Sequence, residues 1–276
     1  MTGAGGNVGG ELVEALADVG RPVRALARDP RKLGSRPGVE AVAGDLNRPE
    51  SLAGALAGVD GVFLLGGFDD MPGVLAAMRA AGVGHVVLLS SRSVLGGHRD
   101  NAVAGMHMAS EDAVRASGIG WTLLRPSGFM SNAFAWRAQL RAGDVVRAPF
   151  AGVPIAAVDP YDIAAVAAAV LTRAEHHSRS YPLTGPESIR PADQVRILAR
   201  VLGRVLRFEP QSDAEARAEM SATVPAKYVD AFFRFFADGE FDDSQVLPTV
   251  QELTGRPPHS FERWATAHAK VFDQQR

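Results

Sequence analysis

Glycines at positions 3, 6 and 9 stand directly ahead of the helical pattern Glu11-Leu12-Val13-Glu14-Ala15-Leu16. A glycine-rich turn that opens a helix is a phosphate cradle. Missing Cβ atoms let the backbone approach a pyrophosphate, and the helix N-terminus offers unpaired N–H groups and partial positive charge. The stretch Thr2-Gly3-Ala4-Gly5-Gly6-Asn7-Val8-Gly9 has the spacing G-x-x-G-x-x-G. A second chemical group follows the run Val23–Ala27. An acidic residue closing that strand would accept hydrogen bonds from an adenosine ribose and select NAD. Here Arg28 closes it, with Lys32 a turn further on. A guanidinium forks onto a 2′-phosphate, so NADP(H) is favoured, while Asp29 keeps NAD(H) open. Judged on charge alone, Arg28, Arg31 and Lys32 read equally well as a solvated basic turn.

These groups need a scaffold that delivers them to one edge. Short apolar runs alternate with helical stretches: Val23–Ala27, Val39–Ala43, Val59–Leu65, Val86–Leu89 and Trp121–Leu124 as strands, with helices over 8–19, 49–57, 71–81 and 106–117 between or before them. Gly20, Gly82 and Gly118 close three of these helices. The pattern predicts an α/β fold, a Rossmann-type doubly wound parallel sheet with ligands outside the carboxyl ends of the strands. Every polar or glycine-rich feature falls at such an end: the glycine loop, Arg28, Asp45-Leu46, Gly66-Gly67, Ser90-Ser91 and Arg125-Pro126. The first strand is apparently truncated, because only Met1 and Thr2 precede Gly3. A mean strand is about 5–6 residues, so a translation start upstream of Met1 is the expectation.

Residues 1–130 read as the dinucleotide-binding core and 131–276 as a smaller substrate-side α/β lobe intertwined with it, part of the sheet returning near 145–185. Strands are expected at Val145–Phe150, Ile155–Val158 and Tyr181–Leu183. Helices are expected at Asp159–Thr172, Pro191–Leu202, Asp213–Ser221, Ala226–Phe236 and Phe261–Phe272. Phe129, Met130 and Trp136 are candidates for an apolar substrate wall, whereas the stripe Phe232, Phe233 and Phe236 reads better as core.

Composition narrows the function. The net charge of -2 carries no long run of one sign, which points away from nucleic acid and anionic membranes. The chain has no cysteine, which removes disulfides, thiolate metal sites and thiol catalysis. No apolar run approaches the roughly 20 residues of a membrane span. No His/Asp/Glu cluster has metal spacing, and no G-x-S-x-G elbow is present. A cytoplasmic protein, monomeric or homodimeric, acting on a small hydrophobic molecule is the expectation.

Taken in order, the glycine loop, Arg28-Asp29-Pro30, Gly44-Asp45-Leu46, Gly58–Leu64, His107 with Glu111, Trp121–Pro126 with Phe129-Met130, Leu183-Thr184-Gly185-Pro186 and Leu253-Thr254-Gly255-Arg256 resemble the NmrA-like branch of the atypical short-chain dehydrogenases/reductases. That resemblance implies NAD(P)H-dependent reduction, or nucleotide sensing without turnover. It places Asp45 and Leu46 beside the adenine, Gly66 and Gly67 beneath the ribose or pyrophosphate, Ser90 among the cofactor contacts and Pro126 at the nicotinamide. The Tyr-x-x-x-Lys dyad of the classical enzymes is missing: His107 stands at the Lys position and Val103 where Tyr would be. His107, with an ordinary pKa of about 6.5, and Ser91 are therefore the catalytic candidates. The leading expectation is hydride transfer from NADPH to a small hydrophobic carbonyl, quinone or conjugated acceptor. The alternative is a non-catalytic NADP(H) sensor acting through a protein partner.

Overall fold

A computed structural model describes residues 1–272. In chain order the elements are α1 (Asn7–Asp18), β1 (Val23–Ala27), β2 (Val39–Ala43), α2 (Ala53–Leu56), β3 (Gly61–Leu65), α3 (Met71–Ala80), β4 (His85–Leu89), α4 (Ala102–Ala116) and β5 (Gly120–Pro126). Then come α5 (Arg137–Ala142), β6 (Val145–Ala148), α6 (Pro160–Leu171), β7 (Arg179–Leu183), α7 (Pro191–Leu202) and β8 (Arg207–Pro210). The chain closes with α8 (Asp213–Ser221), α9 (Ala226–Phe236), α10 (Thr249–Thr254), α11 (Phe261–Ala267) and α12 (Ala269–Phe272).

Strands β3, β4, β5 and β7 form a parallel sheet in that order, and β1 pairs with β2, also in parallel. This is the expected doubly wound Rossmann-type fold. Val86, Val87 and Leu88 in β4 are fully buried, as strands covered on both faces must be. One core joins α1 and α6 to the sheet through Leu12, Leu16, Phe63, Val87, Ile163 and Val166. The other lies under α3 and α4, with Leu64, Leu75, Met78, Leu88, Val114 and Leu123. A third core, around Trp264, Phe261 and Leu198, organises the later segments with the parallel pair β6–β8. Strand β7 returns to the main sheet beside β5. Among the described residues no helix is long and apolar enough to cross a membrane.

Ahead of Gly3, Met1 and Thr2 form a two-residue extended stub between β1 and β3. Thr2 N donates to Phe63 O at 3.0 Å, Leu26 N donates to Met1 O at 2.9 Å, and the Met1 ammonium donates to Arg24 O at 2.9 Å. Burial, with the nearby Arg24 charge, lowers that ammonium's pKa to about 6. Beyond the stub the strands stand apart around a cavity of about 800 Å³, lined by Leu16, Val23, Leu26, Val62, Phe63 and Met78 among others.

Several expected elements shift. The helix expected from Met106 starts at Ala102, because the Asn101 side chain caps Val103 N and Ala104 N. The segment Ile155–Val158 is not a strand. Its amides reach three different partners, Ile189 O, Asp243 O and Gly128 O, so no ladder forms. The strand expected to run to Phe150 ends at Ala148, and Phe150 has φ 55°, a left-handed turn. The final helix breaks at His268, whose ring packs on Phe134 and Trp264 at centroid distances of 5.4 and 5.1 Å.

Candidate active site

The glycine loop is built from contacts that exclude side chains. Gly3 has φ +63°, and a Cβ there would lie 2.7 Å from Leu65 Cδ1. A Cβ on Gly9 would lie 2.0 Å from Gly3 O, so α1 can spring from the loop only if position 9 is glycine. Gly6 is the N-cap of the twelve-residue helix α1 and has no side-chain cap, which leaves first-turn N–H groups facing out. Gly5, Gly6 and Asn7 are exposed, whereas Val8 points into the core. Asn7 Nδ2 donates to Ser131 Oγ at 3.1 Å, tying the loop to the turn after β5. Thr2 Oγ1 donates to Phe63 O at 3.0 Å and accepts from Leu65 N at 2.9 Å, so β3 holds the loop from below.

At the end of β1 the chain makes a 3-10 turn, Pro30–Leu33, and Leu33 approaches Gly5. Asp29 caps this turn and is gripped by Arg31. Arg28 and Lys32 are exposed and form no ion pair among the described residues. At the end of β2, Asp45 is half-buried, and its Oδ1 accepts from Asn47 N at 3.0 Å in a local turn. Leu46 is core. At the end of β3, Gly67 has φ +85°, a Cβ there would lie 2.7 Å from Met106 Sδ, and Gly67 N donates to Ser110 Oγ at 3.0 Å. Helix α4 therefore sits hard against this loop.

The ends of β4 and β5 meet at Glu111, which is 2% exposed. Ser90 Oγ donates to its Oε1 at 2.6 Å; Arg125 Nε and Nη2 reach Oε1 and Oε2 at 2.8 and 2.6 Å, and Arg115 Nη2 reaches Oε2 at 2.8 Å. Burial raises the Glu111 pKa, but hydrogen bonds from Arg125 and Ser90 and the charges of both arginines outweigh it and hold the carboxyl below its ordinary value. Ser90 is thus committed to Glu111. One helical turn earlier, His107 is held neutral: burial lowers its pKa to about 4, against the opposing pull of Glu111. Its Nδ1 is buried with no hydrogen-bond partner among the described residues. Ser91 Oγ accepts from Ser93 N at 3.1 Å, which leaves its hydroxyl hydrogen free to donate elsewhere. Pro126 ends β5, buried, opposite Leu183 of β7.

The three substrate-wall candidates are placed unequally. Met130 and Trp136 lie in the third core, and Phe129 is half-buried against the first. Of the aromatic stripe on α9, Phe233 is core, as expected, while Phe232 and Phe236 are half-buried. Asp243 and Arg92, which join the loops after β4 and β5, were not singled out from sequence. Among the described residues no group of three or more acidic, His or Cys side chains is placed to hold a metal.

A cradle that a Cβ would fill, unpaired helix N–H groups beside it, two cations without an ion-pair partner among the described residues at the end of β1 and an orphaned imidazole nitrogen on α4 together fit a phosphorylated dinucleotide. A family profile described as NAD(P)H-binding matches residues 3–174. The chain is 44% identical over 278 residues to a (4-alkanoyl-5-oxo-2,5-dihydrofuran-3-yl)methyl phosphate reductase of Streptomyces griseus, covering 99% of this chain and 98% of the relative. It is 32% identical over 284 residues to an NAD(P)H azoreductase of Xenophilus azovorans, with 99% and 98% covered. Among solved structures, the Citrobacter sp. triphenylmethane reductase complexed with NADP(H) superposes with a TM-score of 0.78 at 27% identity, over 97% of this chain and 98% of the other.

Proposed function

The chain belongs to the NAD(P)H-binding family, in the NmrA-like branch of the atypical short-chain dehydrogenases/reductases, and from that premise we propose that it is an NADPH-dependent reductase of electron-poor conjugated acceptors, above all unsaturated lactones carrying a second carbonyl. The observation that carries this reading is His107. Held neutral by burial, it is a poor proton source at neutral pH, and no Tyr-x-x-x-Lys dyad stands beside it. A site without a strong acid suits substrates whose reduced form needs little protonation.

The relative from Streptomyces is named for a ring whose double bond is conjugated with both an oxo and an alkanoyl group. When bound, NADPH supplies the hydride. An acceptor of this kind would spread the added electron pair over two carbonyl oxygens, and solvent would supply the balancing proton. The work left to the protein is positioning. In this reading the glycine loop holds the pyrophosphate, Arg28 with Lys32 reads the 2′-phosphate, and Asp45, Leu46, Gly66 and Gly67 border the adenosine. Pro126 borders the nicotinamide, Ser91 donates to a substrate carbonyl, and His107 hydrogen-bonds the neighbouring ribose. Phe129 contributes an apolar edge. Azo and quinoid acceptors share the low demand for acid.

Steady-state NADPH oxidation with an alkanoyl-butenolide, its phosphate ester, a quinone and an azo dye tests this. The expected order places the butenolides first, with His107→Gln retaining most of kcat. Tight NADPH binding with no turnover on any acceptor would sink the enzyme reading and leave the sensor.

A further inference from the structure

Asp243 lies in the irregular segment between α9 and α10, yet it is 5% exposed and every carboxylate contact goes to the catalytic edge of the sheet. Its Oδ1 accepts from Arg92 Nη1 at 3.0 Å, and Arg92 sits in the loop that follows Ser90 and Ser91. Its Oδ2 accepts from Ser127 Oγ at 2.8 Å and Gly128 N at 2.9 Å, in the loop that follows Pro126. Its backbone O accepts from Ala156 N at 2.8 Å, and four residues on Leu247 N donates to Thr184 Oγ1 at 2.9 Å, just after β7. Residues 241–247 therefore form a strap across the ends of β4, β5 and β7, and one carboxylate fixes the first two loops relative to each other.

Stability alone does not explain an ion pair here. A buried pair costs desolvation that its Coulomb attraction barely recovers, and an apolar pair of similar volume commonly does as well. The loop also keeps two buried polar atoms without hydrogen-bond partners among the described residues, Arg92 Nε and Ser93 Oγ. What the carboxylate supplies that an apolar group would not is direction: three donors from two loops converge on it at set angles.

We propose that Asp243 is a positioning residue for hydride transfer, holding the Ser91–Arg92 loop and the Ser127–Gly128 loop at the separation that seats the acceptor against the nicotinamide. This rests on the reductase reading of the same edge. Asp243 does not touch the reacting atoms; it acts through Arg92 and Ser127. The glycine loop and Arg28, which would carry the cofactor's phosphates, make no contact with Asp243, so its effect falls on turnover more than on cofactor affinity.

Two variants test it on the full chain. In Asp243→Asn, kcat with the best acceptor is expected to fall at least tenfold while the Kd for NADPH stays within twofold. Amide exchange at residues 92–96 and 127–129 should accelerate at least tenfold, without cofactor or acceptor present. In Ser127→Ala the Arg92–Asp243 pair survives, so Tm should stay within a few degrees while kcat falls severalfold and exchange quickens only at 127–129. Activity lost only in proportion to the unfolded fraction, or unchanged exchange in both loops, overturns the proposal. Wild-type protein inactive on every acceptor overturns the reductase reading and this inference with it; active wild type with an unaffected Ser127→Ala overturns this inference alone.

Discussion

Arg31 folds back onto Asp29, its Nε 2.9 Å from Oδ1 and its Nη2 3.2 Å from Oδ2. The acidic side chain nearest the end of β1 is thereby occupied, and Arg28 beside it stands without a partner among the described residues. A free guanidinium beside a neutralised carboxylate favours a 2′-phosphate over a bare ribose diol.

Arg28→Ala should therefore weaken NADPH binding and spare NADH. A charge-assisted hydrogen bond contributes about 1.5–3 kcal/mol, which corresponds to roughly 10–100-fold in Kd. Fluorescence titration of both nucleotides reads it; an equal change for the two would remove Arg28 from phosphate recognition.

Glu111 is the junction of β4, α4 and β5, so its charge matters to the fold before it matters to chemistry. Glu111→Gln leaves Arg125, 15% exposed, facing a neutral amide. Breaking one side of a buried pair typically costs about 3–5 kcal/mol. The urea midpoint should drop accordingly, and a loss below about 1 kcal/mol would mean that Arg115 and Arg125 find water instead.

Two neutral histidines, the buried His85 and the half-buried His107, set an acid limit. Burial lowers His85 to about 4, helped by the nearby His177 charge, and His107 also lies at about 4. The unfolded chain takes up these protons near pH 6.5, the folded chain only near 4. Stability is therefore complete above about pH 6.5 and shrinks as pH falls toward 4. His85, 5% exposed, accounts for on the order of 1–3 kcal/mol of that loss. Tm measured from pH 7.5 to 4.5 should fall, and His85→Gln should flatten the slope; a flat wild-type profile would contradict the buried neutral state.

The same cavity that separates β1 from β3 predicts a gain. Adding about four Val and Leu residues before Met1 supplies an extended segment with two sheet edges waiting for it. Each large apolar side chain that becomes fully buried contributes about 1.5–3 kcal/mol, against ordering costs of about 1–2 kcal/mol per residue. Removing the buried ammonium adds to the benefit. Tm should rise by at least about 3 °C, and an unchanged Tm would show that the cavity does not accept a strand.

Much of this was legible from residue types. The strands β1 to β5 and β7 announce themselves as apolar runs with polar ends, and Gly3 and Gly9 declare a loop in which a Cβ would collide. What was not legible depends on distant partners. Ile155–Val158 has strand composition, yet its amides are claimed by three unrelated segments. Met130 and Trp136 look like a substrate wall in sequence, but the third core, assembled from Leu198, Phe261 and Trp264, draws them inside. Asp243 sits in a stretch with no periodicity, and its partners lie 151 and 116 residues away. No local signal marks such a contact. The capping Asn101 was readable, five residues upstream of where the helix was expected.

The two-residue stub also bears on how the protein lives with its cofactor. Among the described residues, the strand-to-strand hydrogen bonds between the β1–β2 piece and β3 pass through Met1 and Thr2. A dinucleotide spanning the glycine loop, Arg28 and Gly66-Gly67 would tie the two pieces from above and favour the folded arrangement. At a hundredfold excess over Kd, a ligand that binds only that arrangement adds about 2.7 kcal/mol. Proteolytic nicking within 20–45 should thus be slowed by NADPH and unaffected by an equal concentration of phosphate.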